Sequence, residues 1–144
     1  MEEKIRINCI AVVGKQNNPL YLKSFDPQQP DLKYHYIAHT SCDVIEERAA
    51  SASKTNDLYL GLLYTIDDLA VYGYMTNTRI KFILVLTLRE SIIRDAEVRN
   101  IFNRIHAAYI SLICNPFYEM DNNKFIKSPR FASLIEMIGD SRDN

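Results

Sequence analysis

The sequence predicts an α+β domain. A five-stranded, mainly antiparallel sheet carries one helix on one face and two on the other. Three observations lead there. Five runs rich in β-branched and aromatic residues are joined in a pair and a triplet by short turn-forming segments, as hairpins require. Three other stretches switch to an apolar period of three and four residues, the signature of amphipathic helices. One run, RIKFILVLTL at residues 79–88, is almost continuously apolar, so it belongs in the middle of the sheet with cover on both sides.

Each element follows in order. In residues 5–13, Ile5, Ile7, Cys9, Ala11 and Val13 alternate onto one face. GKQNNP (14–19) supplies a turn, and LYLKSF resumes the extended pattern to complete a hairpin. DPQQPD (26–31) is a loop, because two closely spaced prolines exclude a helix or a central strand. From residue 32 to about residue 53 a helix presents Ile37, Ser41, Val44, Ile45 and Ala49 inward and His39, Asp43, Glu46 and Glu47 outward. Residues 58–66, 69–76 and 79–88 are the other three strands, separated by Asp67-Asp68 and Asn77-Thr78 at hairpin spacing.

A second helix opens at Asp95, a good N-cap, and runs its stripe through Val98, Ile101, Phe102, Ile105, Ala108, Tyr109 and Leu112. Pro116 donates no backbone hydrogen bond and drives Asn115 out of helical geometry, so this helix stops there. Phe117 and Tyr118 then fold back onto the core as large aromatics do, rather than displaying a peptide signal. The third helix has Ser128 as cap and Pro129 at its first position, and ends at Gly139. The order is ββαβββαα in one domain, 1–144, with residues 1–4 and 140–144 frayed.

Composition narrows the function. The 144 residues are 47% hydrophobic and 24% charged, a globular mix able to bury a core. Seventeen basic residues against eighteen acidic ones give a net charge of −1, unlike a nucleic-acid binder, which concentrates cations. No apolar run approaches the roughly 18 residues that span a bilayer, and MEEKIRIN lacks the features of a secretory signal. Cys9, Cys42 and Cys114 are an odd number at wide spacing with no CxxC pair, and each sits among apolar neighbours. The expectation is a reduced, intracellular, soluble protein without disulfides.

Chemistry is scarce. The four glycines (14, 61, 73 and 139) form no phosphate-cradling motif, and His35, His39 and His106 lack the companions that announce zinc. No cofactor and no metal are expected. His39, Cys42 and Asp43 crowd one helix at spacings that would let a thiol, an imidazole and a carboxylate approach. Nothing nearby supplies an oxyanion hole, and such contacts are ordinary on helix surfaces, so no catalytic residue is assigned. Asp43, Glu46 and Glu47 form an acidic ridge beside His39, with Arg48 the only adjacent cation. That ridge is either a solvated face or a docking face for a basic or hydrogen-bond-donating partner, and sequence physics leaves both open.

The strings NNPLYLKS, HYIAHTSCDVIEE, LYLGLLYTIDDLAVYGYMTNTRIKFILVL and ICNPFY, in this order and spacing, resemble the sedlin family of transport protein particle (TRAPP) subunits. The resemblance covers residues 9–132, and departs at the charged N-terminus, the DPQQPD loop and the last helix. It implies a longin-like (SNARE-like) fold and a small non-enzymatic subunit of a tethering complex. That complex promotes nucleotide exchange on a Rab-type GTPase between endoplasmic reticulum and Golgi, from the cytoplasmic side of those membranes and without membrane insertion. Implied partners are Bet3-like and longin-like core subunits and larger recruited subunits, not nucleic acid. The family's partner-contact aspartate corresponds to Asp43, which makes Asp43, His39, Glu46 and Glu47 the expected partner-binding residues. A longin SNARE would add about 60 residues of heptad repeat and an anchor, neither of which is present before Asn144. A light subunit of an adaptor complex stays open on topology.

Overall fold

The computed structural model describes residues 7–25, 30–51, 58–66, 68–87, 95–116 and 126–140. Its elements are β1 (Ile7–Val13), β2 (Pro19–Ser24), α1 (Asp31–Ser51), β3 (Tyr59–Ile66), β4 (Leu69–Met75), β5 (Lys81–Thr87), α2 (Asp95–Ile113) and α3 (Pro129–Asp140). The strands form one sheet in the order β2-β1-β5-β4-β3, and every neighbouring pair is antiparallel. β5 is the central strand, as its composition required.

Its apolar run hides a period of two. Phe82, Leu84 and Leu86 enter the core shared with α2 and α3, while Ile83 and Val85 enter the core under α1. Each face therefore has its own packed layer, and the sheet is their common wall. α2 places Val98, Phe102, Ile105, Ala108, Tyr109 and Leu112 in the first core. α3 adds Phe131, Ile135 and Ile138. Its cap forms as expected, with the Phe131 amide donating to Ser128 Oγ at 3.2 Å.

The β1–β2 turn is closed by the Asn17 amide on the Gly14 carbonyl at 2.9 Å and the Gly14 amide on the Asn18 carbonyl at 2.7 Å. Asn17 takes a left-handed backbone (φ 65°), which asparagine tolerates better than most residues.

Three expectations change. β1 does not put Ile7, Cys9, Ala11 and Val13 on one face. Cys9, Ala11 and Val13 face α1, whereas Ile7 joins Ile10 and Val12 on the opposite side. The pairing with β5 shifts register between Ile7 and Cys9, and one extra residue in a strand reverses which side the next side chain takes. Cys114 is exposed rather than apolar-packed, because it lies past the buried stripe that ends at Leu112. α3 includes Asp140, one residue beyond the expected stop at Gly139. The expected fold-back of Phe117 and Tyr118, the fraying at 1–4 and 141–144, and most of the DPQQPD loop lie outside the described residues.

Candidate docking face on helix α1

α1 buries Tyr34, Ile37, Ala38, Ser41, Cys42 and Ile45 against the sheet. Val44 and Ala49, expected in that face, sit half-buried at its flank. Polar ties fix the helix as well as apolar ones. Asn8, itself buried, donates to the Tyr34 hydroxyl at 3.4 Å and accepts from Thr87. The Tyr64 hydroxyl on β3 donates to the Ile37 carbonyl at 3.2 Å. A helix tied to the sheet at Tyr34 and Ile37, and packed on it as far as Ile45, presents its opposite face in a fixed orientation.

That opposite face carries all four residues expected to bind a partner. His39, Asp43, Glu46 and Glu47 are exposed. Leu32 and Tyr36 lie on the same face and are 77% and 67% exposed. Positions 32, 36, 39, 43 and 47 are spaced by three or four residues, so they form one stripe along the helix. Leu32 and Tyr36 were not among the residues expected to bind a partner. The available signal was two large apolar residues placed off the helix's inward period.

The charges on the ridge do not behave alike. Glu46 Oε1 lies 3.5 Å from Lys81 Nζ, and Lys81 is only 1% exposed, on the central strand. The same ammonium donates to Asn17 Oδ1 at 2.8 Å. Glu46 is thus partly spent on compensating a buried cation, which would be costly without a partner. Arg48, the cation adjacent in sequence, does not neutralise the ridge. Its guanidinium reaches the Leu60 and Leu63 carbonyls on the edge strand β3, each at 3.4 Å. Asp43 and Glu47 are left facing solvent as the ridge's outward carboxylates.

In the alternative set, His39 with Cys42 and Asp43, the thiol is not poised as a nucleophile, although Cys42 and His39 line the same groove beside α1. Cys42 points inward, is 2% exposed, and its thiol donates to the Ala38 carbonyl at 3.4 Å. Burial pushes the thiol pKa up despite the opposing pull of Lys81, with Glu46 and Asp43 adding to the rise. A reactive thiol has the reverse shift. Cys9 is pushed up as well, chiefly by burial and also by the Asp31 charge.

Elsewhere, a cavity of about 340 Å³ opens between the end of α2 and the start of α3. It is lined by Ser111, Cys114, Asn115, Ser128, Arg130 and Phe131 among others. A thiol and a guanidinium are the titratable groups there, which do not make an acid–base pair. Among the described residues no group of three or more His, Cys, Asp or Glu could hold a metal ion. No helix among them is long and apolar enough to cross a membrane.

The profile of the family described as sedlin matches residues 12–141. A trafficking protein particle complex subunit 2-like protein from Mus musculus is 41% identical over 131 residues, covering 88% of this chain and 92% of its own length. Its namesake from Taeniopygia guttata is 45% identical over the same 131 residues, with the same coverage. That of Dictyostelium discoideum is 45% identical over 134 residues, 90% of this chain and 94% of the relative.

Proposed function

The chain belongs to the sedlin family, and from that premise we propose that it works as a non-catalytic subunit of a trafficking protein particle complex. It acts through surfaces offered to neighbouring chains. In this reading the complex promotes nucleotide exchange on a Rab-type GTPase in transport between endoplasmic reticulum and Golgi, and the chain sits at those membranes from the cytoplasmic side. Its neighbours are Bet3-like and longin-like core subunits and the larger subunits they recruit.

The observation that carries the proposal is the outward stripe of α1. Leu32 and Tyr36 are large and exposed, and they continue into His39, Asp43 and Glu47. An exposed aromatic and aliphatic pair rimmed by charge is the composition of a protein interface, and a solvated helix face has no need of it. The helix is also pre-positioned, so little ordering cost attends docking.

The test is charge reversal at Asp43. Asp43→Lys is expected to lower recovery of co-purifying subunits roughly tenfold or more. Because the site is exposed, the stability of the isolated chain should stay within about 0.5 kcal/mol of wild type. Wild-type recovery of partners by this variant would remove Asp43 from the interface.

A further inference from the structure

A groove runs beside the α1 stripe, between that helix and the β1–β2 hairpin, and encloses about 180 Å³. Val13, Leu22, Ala38 and Cys42 give it an apolar lining, with His35 and His39 from the more exposed side of α1. Asn17 of the turn also lines it. The buried ammonium of Lys81 binds both Asn17 and Glu46, so the turn and the helix that form the two walls are strapped together. The groove is therefore formed before anything enters it.

Its size and surroundings restrict the occupant. Cofactor and drug-sized sites begin at roughly 300 Å³, so this space is too small for either and suits one large side chain. The lining is apolar, which calls for an aliphatic or aromatic group. His39 belongs both to the groove and to the outward stripe, and Asp43 lies four residues further along, one helical turn or about 6 Å. A cation bound at Asp43 would thus sit one turn from the anchored side chain. Glu46 is withdrawn from that role, because engaging it would uncover the charge on Lys81.

We infer that the groove takes a single large apolar side chain from a helix of a partner subunit, and that a Lys or Arg one turn away on that helix meets Asp43. This inference rests on α1 being the docking face. It specifies the partner's chemistry: an apolar anchor and a cation spaced by three or four residues, laid across α1 as a helix seats in a groove.

The experiment uses the full chain in its native complex. p-Benzoyl-phenylalanine in place of His35 should photo-cross-link to a partner subunit, within a helix that carries Lys or Arg three or four residues from the attached position. Leu22→Trp, which fills the groove, should lower recovery of that same subunit roughly tenfold. A cross-link to a second copy of this chain overturns the inference, as does one to a segment without a nearby cation. So does the absence of a cross-link to any subunit. If Leu22→Trp disturbs the fold, judged by its circular dichroism, the cross-link alone decides. Asp43→Lys separates the two levels: partner loss there with wild-type behaviour at the groove defeats only the groove, whereas wild-type recovery there defeats the docking face itself.

Discussion

Lys81 shows how far a residue's role depends on its surroundings. In sequence it is one cation inside a strand of apolar residues. In the fold it is 1% exposed, held by Asn17 and by a Glu46 whose side chain is 50% exposed. Removing the compensating carboxylate leaves a buried charge, so Glu46→Gln should cost about 1–3 kcal/mol, below the full cost of a wholly buried pair because water still reaches Glu46. Replacing both partners removes the uncompensated charge, so Lys81→Met with Glu46→Gln should recover most of that loss. Urea denaturation of the four proteins in the cycle measures it. Equal stability of Glu46→Gln and wild type would mean that the ion pair does not matter to the fold. The outward character of Asp43, Glu46 and Glu47 was legible in the helical period. The distinction between a carboxylate tied inward and two left facing solvent was not, because Lys81 is 35 residues away from Glu46 in the chain.

At the level of elements, α2 and β4 meet through His106. Its ring packs edge-on to Tyr74 with centroids 5.5 Å apart and tilted to Phe82 at 5.7 Å, and Nδ1 lies 2.9 Å from the Tyr74 hydroxyl. Burial holds its pKa below the usual 6.5. In the unfolded chain the ring regains the usual value, so as pH falls the unfolded state takes up the proton first. The stabilisation is present in full above 6.5 and is lost as pH falls through the lower folded value. The melting temperature should therefore drop as pH falls below the ordinary histidine value of 6.5, and His106→Gln should flatten this part of the profile. An unchanged slope in the variant would assign the pH dependence to other groups. The buried stripe of α2 was readable from periodicity, but the contact of His106 with Tyr74 and Phe82 was not, because those partners lie on other elements. The bulge in β1 was not, because the register shift between Ile7 and Cys9 is set by pairing with β5, which the local sequence of β1 does not contain.

For the whole molecule, the decisive feature is a sheet packed on both faces. Ile83 and Leu84 are neighbours in β5, both fully buried, yet they belong to different cores. Truncating either one, as Ile83→Ala or Leu84→Ala, should cost about 2–5 kcal/mol. Since the two layers share one wall, each variant should lower a single cooperative transition, followed by circular dichroism during heating. Separate transitions for the α1 layer and the α2–α3 layer would show that the cores fold independently.

Element order, layering and the central place of β5 could be read along the chain, because they follow from short-range periodicities and turn residues. The family, through strings kept in order across the chain, and the outward placement of His39, Asp43, Glu46 and Glu47 were legible there too. What each outward group is free to do depends instead on the folded chain. The fold bound Glu46 to Lys81, turned Arg48 onto β3, buried the Cys42 thiol against the Ala38 carbonyl, and set a preformed groove beside Asp43. Each of those outcomes joins residues distant in the chain or lying on different elements, and periodicity along a chain holds no information about which distant partner a side chain will meet.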